Sequence, residues 1–167
     1  MRNLYKKFGI SIFVLSLSSV SCFAFTGKVT KVIDGDTIDV QRDDNKKTVR
    51  VRLADIDAPE LQQPYGDIAR DYLVVKTMTK HVEVKDEGKK PDQYGRIIGD
   101  LYVGDFYVNA AIVKDGYAWA YRYKGEITNN IIGISETSAR SRKINIWSQS
   151  HPVEPWIWRK EHKKALY

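Results

Sequence analysis

The chain has 167 residues, a length that allows one domain, and its 43% apolar content is enough for a hydrophobic core. We therefore expect a globular protein rather than a disordered chain. The formal net charge is +6 at pH 7, and it falls to +3 if the first 24 residues, which carry three basic and no acidic side chains, are removed. The overall charge is thus only mild support for a polyanionic partner.

Residues 1–24 have the pattern of a secretion signal. Three basic residues precede an apolar stretch over residues 8–20, and small residues follow up to Ala24. The apolar stretch is shorter than the roughly 18 residues that a membrane helix needs. We expect cleavage after Ala24, export to the periplasm or the outside of the cell, and no stable membrane association. A retained anchor and lipidation of Cys22 are the alternatives.

Cysteine and histidine usage restricts the chemistry. Cys22 is the only cysteine, so the cleaved product would have none and its stability must come from packing. The three histidines, His81, His151 and His162, are scattered along the chain. Without cysteines beside them they argue against a zinc site.

The first half of the mature chain reads as short strands. Residues 27–33 and 37–40 are expected to be strands joined at an Asp-Gly-Asp turn, and residues 41–47 an exposed hairpin loop. In the next strand, at residues 49–53, three apolar residues alternate with Arg50 and Arg52. This period of two sends the apolar side chains to the core and leaves Arg52 free to contact a ligand.

The second half mixes helices and strands. In chain order the pattern predicts a helix over 65–80, a strand from Val82, a loop over 86–94, a hairpin formed by 97–103 and 106–108, a short helix that ends near Gly116, an alternating segment over 117–123 and a last helix over 131–143. Asn109 is expected to cap the short helix. Many short strands with interspersed helices favour a small closed barrel over a doubly wound sheet.

The most informative residues lie in two short runs, 33–37 and 52–60. They place carboxylates and one arginine on either side of a predicted hairpin: Asp34, Asp36, Asp55, Asp57, Glu60 and Arg52. Carboxylates supply the oxygen ligands that calcium or magnesium prefer, and an arginine beside them is useful if an anion lies between them. The runs predict a hard-metal site built to bind a phosphate.

Each residue also has a plainer interpretation. Asp-Gly-Asp commonly forms a tight turn, and Asp34 would then serve only that turn. Asp55 could be a solvated surface charge, Arg52 a surface ion-pair residue, and Arg96 a residue that simply follows a turn. Independent plain explanations for every motif in this order are improbable, so the joint pattern favours function.

Several motifs follow one another along the chain: Ile33-Asp34-Gly35-Asp36-Thr37, Arg52-Leu53 followed by Asp57-Ala58-Pro59-Glu60, Gln63-Pro64-Tyr65-Gly66, Asp92-Gln93-Tyr94-Gly95-Arg96 and Asn145-Ile146-Trp147. This ordered set resembles the staphylococcal nuclease (thermonuclease) family. The resemblance spans residues 25–148, and a tail over 152–167 extends beyond it. It implies a mainly β fold with helices, namely a five-stranded OB-fold barrel with three helices, in one domain over residues 25–167.

The resemblance also implies an activity and a set of site residues. The expected activity is that of a secreted, monomeric, calcium-dependent phosphodiesterase of the thermonuclease type, which cuts DNA and RNA, preferably single-stranded or denatured, to leave 3′-phosphates. The residues that match the family's functional positions fall into three groups: Asp36, Asp57 and the Ala58 carbonyl as calcium ligands, Arg52, Glu60 and Arg96 as catalytic residues, and Tyr94, Tyr121 and Tyr123 as the nucleotide pocket.

Two other functions remain open from the sequence. A catalytically inactive OB-fold module could bind single-stranded nucleic acid by stacking on the tyrosines, but it would not need Glu60 near a phosphate. A secreted calcium-binding structural protein would leave Arg52 and Arg96 without a role.

Overall fold

A computed structural model describes residues 23–86, 88 and 90–163. Most of the expected secretion signal, with Cys22, lies outside the described residues. The described strands are, in chain order, β1 (Ala24–Val32), β2 (Thr37–Arg42), β3 (Thr48–Leu53), β4 (Ile56–Asp57), β5 (His81–Lys85), β6 (Ile97–Val103), β7 (Phe106–Tyr107), β8 (Trp119–Ala120), β9 (Arg122–Tyr123) and β10 (Glu126–Ile127). The described α-helices are α1 (Gly66–Thr77), α2 (Val108–Lys114), α3 (Asn130–Ser141) and α4 (Pro155–Lys163), and a 3-10 turn covers Asn145–Ser148.

Five strands close into a barrel. The order β3-β2-β1-β5-β6 is antiparallel throughout, and a parallel pairing of β3 with β6, in which Arg52 lies opposite Ile98, joins the two ends. The short β7 continues from β6 as a hairpin. The predicted OB-fold barrel is therefore confirmed.

Alternation along β3 decides what faces the barrel core. Val51 and Leu53 are fully buried, whereas Arg50 is exposed and pairs with Asp39 on the neighbouring strand. The same period along β1, β2, β5 and β6 fills the interior with aliphatic side chains from all five strands. Helices α1 and α2 pack against this core.

Three helices lie close to the predicted ranges, but the role expected for Asn109 was wrong. Helix α2 begins at Val108, two residues earlier than a cap at Asn109 implies, and the residue that precedes it is Tyr107. Asn109 is fully buried inside α2, where its Oδ1 accepts a hydrogen bond from the Leu101 N–H and its Nδ2 donates to the Ala54 carbonyl. It ties the helix to β6 and to the loop after β3 instead of capping a helix.

A second, smaller core lies beside the barrel. Trp119 and Trp147 meet edge to face with ring centroids 5.2 Å apart, and Ile146 and Ala139 complete the cluster. The alternating segment predicted over 117–123 is broken into β8 and β9, so Trp119 is buried while Tyr121 and Tyr123 are exposed.

The tail contains a helix that the sequence pattern did not predict, α4. Its first residue, Pro155, is buried, and Trp156 packs against the second core. The tail is therefore docked on the domain. None of the helices in the described part of the chain is long and apolar enough to cross a membrane.

Candidate active site

A cavity of about 620 Å³ opens beside the start of β2 and the end of β3. Most of the predicted site residues line it together: Asp36, Arg52, Asp57, Ala58, Glu60, Tyr94, Arg96 and Tyr121. Tyr123, which is 61% exposed, does not belong to this lining. The motifs that are separated along the sequence therefore meet at one place.

The Asp-Gly-Asp turn both shapes the chain and aims a carboxylate. Asp34 Oδ1 accepts a hydrogen bond from the Asp36 N–H at 3.0 Å, which closes the turn. A Cβ at Gly35 would come within 2.8 Å of the Cβ atoms of Ala58 and Ala69, so a larger residue would push the turn away from the site. The motif therefore forms a tight turn and also contributes to the site, because the turn places Asp36 in the cavity.

The carboxylate of Asp36 is almost buried and held on both oxygens. Its Oδ1 accepts from the Thr37 hydroxyl at 2.9 Å, and its Oδ2 accepts from the Ala58 N–H at 3.0 Å. Because Ala58 follows Asp57 directly, this last bond brings the two predicted ligand aspartates to the same wall of the cavity.

Arg52 is not free, contrary to the expectation from the sequence. Its Nη1 donates to the main-chain carbonyls of Leu53 and Ile56, at 3.2 and 3.0 Å. Its Nη2 donates to Asp57 Oδ1 at 3.2 Å and lies 3.4 Å from Asp36 Oδ2. The alternation that sends Arg52 out of the core sends it into a polar cavity, where carboxylates and carbonyls surround it.

The crowding of charges perturbs the protonation equilibria. Burial, together with the charge of Asp36, raises the pKa of Asp34 to about 6. Burial also raises the pKa of Asp57, although a hydrogen bond from Arg159 opposes that shift. Burial alone would lower the pKa of Arg52, but the charges of Asp36 and Asp57 outweigh it and raise the pKa.

Glu60 meets an arginine that the sequence reasoning did not place in the site. Arg159 of α4 donates from Nη1 to Glu60 Oε1 at 2.8 Å and to Asp57 Oδ1 at 3.0 Å. Its Nη2 donates to Asp57 Oδ2 at 2.7 Å. One guanidinium thus links the two carboxylates, and the hydrogen bond to Asp57 is the main reason that the pKa of Arg159 is raised.

A turn positions Arg96 at the wall of the cavity. Asp92 Oδ1 accepts from the main-chain N–H groups of Tyr94 and Arg96, both at 2.9 Å. Asp92 Oδ2 accepts from Arg96 Nε at 2.8 Å and lies 2.7 Å from Nη2. The remaining N–H groups of the guanidinium can still serve a ligand. Tyr94 is 72% exposed with the Arg96 guanidinium 5.2 Å from its ring centroid, so it forms an accessible aromatic rim.

Asp55 also lines the cavity, but it has partners of its own. Its two oxygens accept from the Thr128 hydroxyl at 2.6 Å and from Asn129 Nδ2 at 3.2 Å. These bonds hold the start of α3 against the loop that precedes β4. Asp55 is therefore a connecting residue and not the solvated surface charge of the plainer interpretation.

The donors present fit a hard divalent cation. Asp36 Oδ2 and Asp57 Oδ1 lie 3.4 and 3.2 Å from the same Arg52 nitrogen, so the two carboxylates are close neighbours, and the Ala58 carbonyl belongs to the same short segment. Oxygen-only donors of this kind suit calcium or magnesium. Within the part of the chain that the structure describes, no group of three or more histidine, cysteine or acidic side chains is arranged to hold a metal alone. A cation here would rely on two carboxylates supplemented by main-chain oxygen.

Comparison with known proteins identifies the family. Residues 50–149 match the model of the family described as staphylococcal nuclease homologue. The chain belongs to the staphylococcal nuclease family. A micrococcal nuclease of Shigella flexneri is 41% identical over 162 residues, which cover 91% of each chain. Protein ParB of Escherichia coli is 42% identical over 157 residues, covering 89% of this chain and 86% of the relative. An uncharacterized endonuclease of Escherichia coli is 40% identical over 146 residues, covering 87% of this chain and 90% of the relative.

Arg159 lies beyond the residues that the staphylococcal nuclease model matches, which explains why family motifs did not lead to it. A local signal was present in the sequence. Pro155 occupies the first helical position, where proline is favoured, and it is followed by Trp156 and Arg159 one turn apart on the same helix face. Such a pattern is typical of a short helix with one packing residue and one cation on the same side, although α4 is not among the helices predicted above.

Proposed function

We propose that this member of the staphylococcal nuclease family is an exported, calcium-dependent phosphodiesterase that cleaves DNA and RNA and leaves 3′-phosphate ends. The nuclease activity follows from the family, and two of the three relatives described above carry nuclease or endonuclease names. The calcium dependence, the polarity of cleavage and the export are the parts of the proposal that need experiment.

One observation carries the metal requirement. Among the residues that the structure describes, the cavity is lined by six acidic residues, Asp34, Asp36, Asp55, Asp57, Glu60 and Asp92, but by three arginines, Arg52, Arg96 and Arg159. Such an excess of carboxylates would repel a phosphodiester. A divalent cation at Asp36 and Asp57 would reverse much of that repulsion, so the charge balance supports a metal-dependent phosphodiesterase.

The residues can be given separate roles in hydrolysis. Asp36, Asp57 and the Ala58 carbonyl would hold calcium, which when bound supplies positive charge to the phosphate. Arg52 and Arg96 donate hydrogen bonds to phosphate oxygens and stabilise the charge that develops on them. The main-chain carbonyls that hold Arg52 Nη1 fix the plane of its guanidinium, so a phosphate competes with Asp57 for Nη2.

Glu60 aims the attacking water. Its carboxylate is 40% exposed at the cavity wall, and Gly66 allows the chain after it to turn back closely, since a Cβ there would collide with the Glu60 carbonyl. A water that donates a hydrogen bond to this carboxylate can be oriented toward phosphorus, or it can lose a proton to the carboxylate.

Exposed aromatic rings favour a single-stranded substrate. Tyr94 and Tyr121 line the cavity, and Tyr123 stands outside it; all three are at least 38% exposed. Unpaired bases can stack on such rings regardless of sequence, whereas bases within a duplex are already stacked. We therefore propose denatured DNA and RNA as the preferred substrates, and we propose a monomer as the active form from the family resemblance alone.

The start of β1 is compatible with export by cleavage after Ala24. Phe25 is buried in the barrel core under the Arg42 guanidinium, and its strand pairs with β5 from Ala24 onward. A product that begins at Phe25 would keep this strand almost intact.

Digestion of heat-denatured DNA and of RNA by the mature protein tests the proposal. We expect cleavage with calcium, none after calcium is chelated, and products that a polymerase extends only after phosphatase treatment. Cleavage in the presence of chelator would contradict calcium dependence. Binding of the strand without cleavage under any divalent cation would instead support the inactive binding module.

A further inference from the structure

The C-terminal helix places a charged side chain inside the candidate active site. We infer that Arg159 is a positioning residue for Glu60, which it holds at a fixed place relative to Asp57. This inference rests on the proposed nuclease function and adds a residue from outside the matched family region.

The contacts of Glu60 carry the inference. Within the described part of the chain, Arg159 is the residue whose side chain hydrogen-bonds the Glu60 carboxylate, at 2.8 Å. The same guanidinium donates hydrogen bonds to both oxygens of Asp57, at 3.0 and 2.7 Å. Because a guanidinium is planar and rigid, this double attachment fixes the Glu60 carboxylate relative to a predicted calcium ligand.

The helix that carries Arg159 is anchored on the domain. Gln63, which is buried, donates from Nε2 to the Val153 carbonyl at 2.6 Å, and its Oε1 accepts from the Glu60 N–H at 3.2 Å. The same side chain therefore joins the tail to the main chain of Glu60. Trp156 adds an apolar anchor by packing against the second core. Arg159 thus approaches the carboxylates from a fixed base.

Burial determines which carboxylate depends on Arg159. The Asp57 side chain is 1% exposed and also has Arg52 as a partner, so it should keep its place when Arg159 is removed. The Glu60 side chain is 40% exposed and would be free to take other rotamers. Loss of Arg159 should consequently reduce the rate of cleavage without weakening calcium binding.

The experiment compares Arg159→Ala with wild type in kcat, KM and calcium affinity by calorimetry. Loss of an outer hydrogen-bonding partner typically costs 10–100-fold, so we expect kcat to fall by about that factor, with KM changed less than about threefold. Calcium affinity should be unchanged or tighter, because a positive charge near the ligands is lost. Lys160→Ala, which changes the next and exposed residue of α4, is the matched control and should behave as wild type.

A double mutant separates positioning from a structural role. If Arg159 acts through Glu60, Arg159→Ala should have less than about a twofold further effect on kcat in a Glu60→Gln background. A general loss of structure would lower both backgrounds equally. Arg159→Gln, which keeps most of the side-chain stem, replaces the alanine variant in both measurements if that variant unfolds.

Several results would overturn the inference. An unchanged or raised kcat would make Arg159 dispensable or an inhibitor that competes with the cation. A raised KM with normal kcat would place it on the substrate phosphate, and weaker calcium binding would place its effect on the metal ligands. If wild type itself cleaves nothing with calcium, the proposed function fails first, and calorimetry still reports whether Arg159 opposes calcium.

Discussion

Replacing Arg52 by lysine separates charge from geometry. Arg52 Nη1 donates to two main-chain carbonyls while Nη2 contacts two carboxylates. A lysine keeps the positive charge, but its one nitrogen cannot serve the carbonyls and the carboxylates together. Loss of the two carbonyl bonds, at roughly 1 to 1.5 kcal/mol each, predicts a decrease of about 2 to 3 kcal/mol in the free energy of unfolding.

The Arg52→Lys variant should stay folded but lose most of its catalytic rate. The variant loses the guanidinium Nη2 that the carbonyl contacts hold in a fixed plane for the phosphate, and the loss of one such donor typically costs about 10² to 10³-fold in kcat. Urea unfolding measures the stability, and single-turnover cleavage of a labelled single strand measures the rate. We expect a folded protein that has lost most of its activity.

Arg50→Lys is the matched control. Arg50 lies on the same strand but pairs with Asp39 at the surface, so its replacement should change stability by less than about 1 kcal/mol and leave cleavage intact. Turnover within about threefold of wild type in a folded Arg52→Lys protein would refute the reasoning and remove Arg52 from the catalytic set.

Three further predictions concern other parts of the molecule. Arg96→Lys should also lose most activity, since one nitrogen cannot satisfy Asp92 and a phosphate together; normal single-turnover rates would exclude that role. Asp34→Asn should stabilise the calcium-free protein. Because the pKa of Asp34 is raised from 3.8 to about 6, its charged form destabilises the folded state increasingly as pH rises between these two values. Urea unfolding should therefore show the same free energy of unfolding for variant and wild type near pH 3.5, and a value up to about 3 kcal/mol higher for the variant at pH 7. A constant difference across that range would contradict the burial of Asp34. Intact-mass analysis of the exported protein should find Phe25 as its first residue, and a diacylated Cys22 would overturn that prediction.

Local periodicity was enough for much of the fold because strands and helices bury one face. Alternation along residues 49–53 and helical spacing over 65–80 predicted β3 and α1 closely. Asn109 shows where this reasoning fails. Its residue type favours a helix cap, but the long-range partners Leu101 and Ala54 determine its conformation. Such partners are invisible to a local pattern.

The site could be predicted as a set of residues, but not as a network of contacts. Most of the residues that line the cavity lie in the runs 33–37 and 52–60, which form turns and strand ends that meet at the cavity. Sequence spacing could not show that Arg52 is already held by carbonyls, nor that Arg159 reaches across from α4. The Arg52 contacts depend on the conformation of the turn after β3, and the Arg159 contact depends on packing between segments 102 residues apart.

The division of labour among the carboxylates is the central claim, and one paired measurement tests it directly. Calcium titration and single-turnover cleavage are carried out on wild type, Asp57→Ala and Glu60→Gln, with Asp57→Asn as a variant of matched shape. We predict that both Asp57 variants bind calcium much more weakly, whereas Glu60→Gln binds calcium and nucleotide normally but cleaves at least about 10²-fold more slowly. Undiminished cleavage by Glu60→Gln, or full wild-type activity in chelator, would contradict the account.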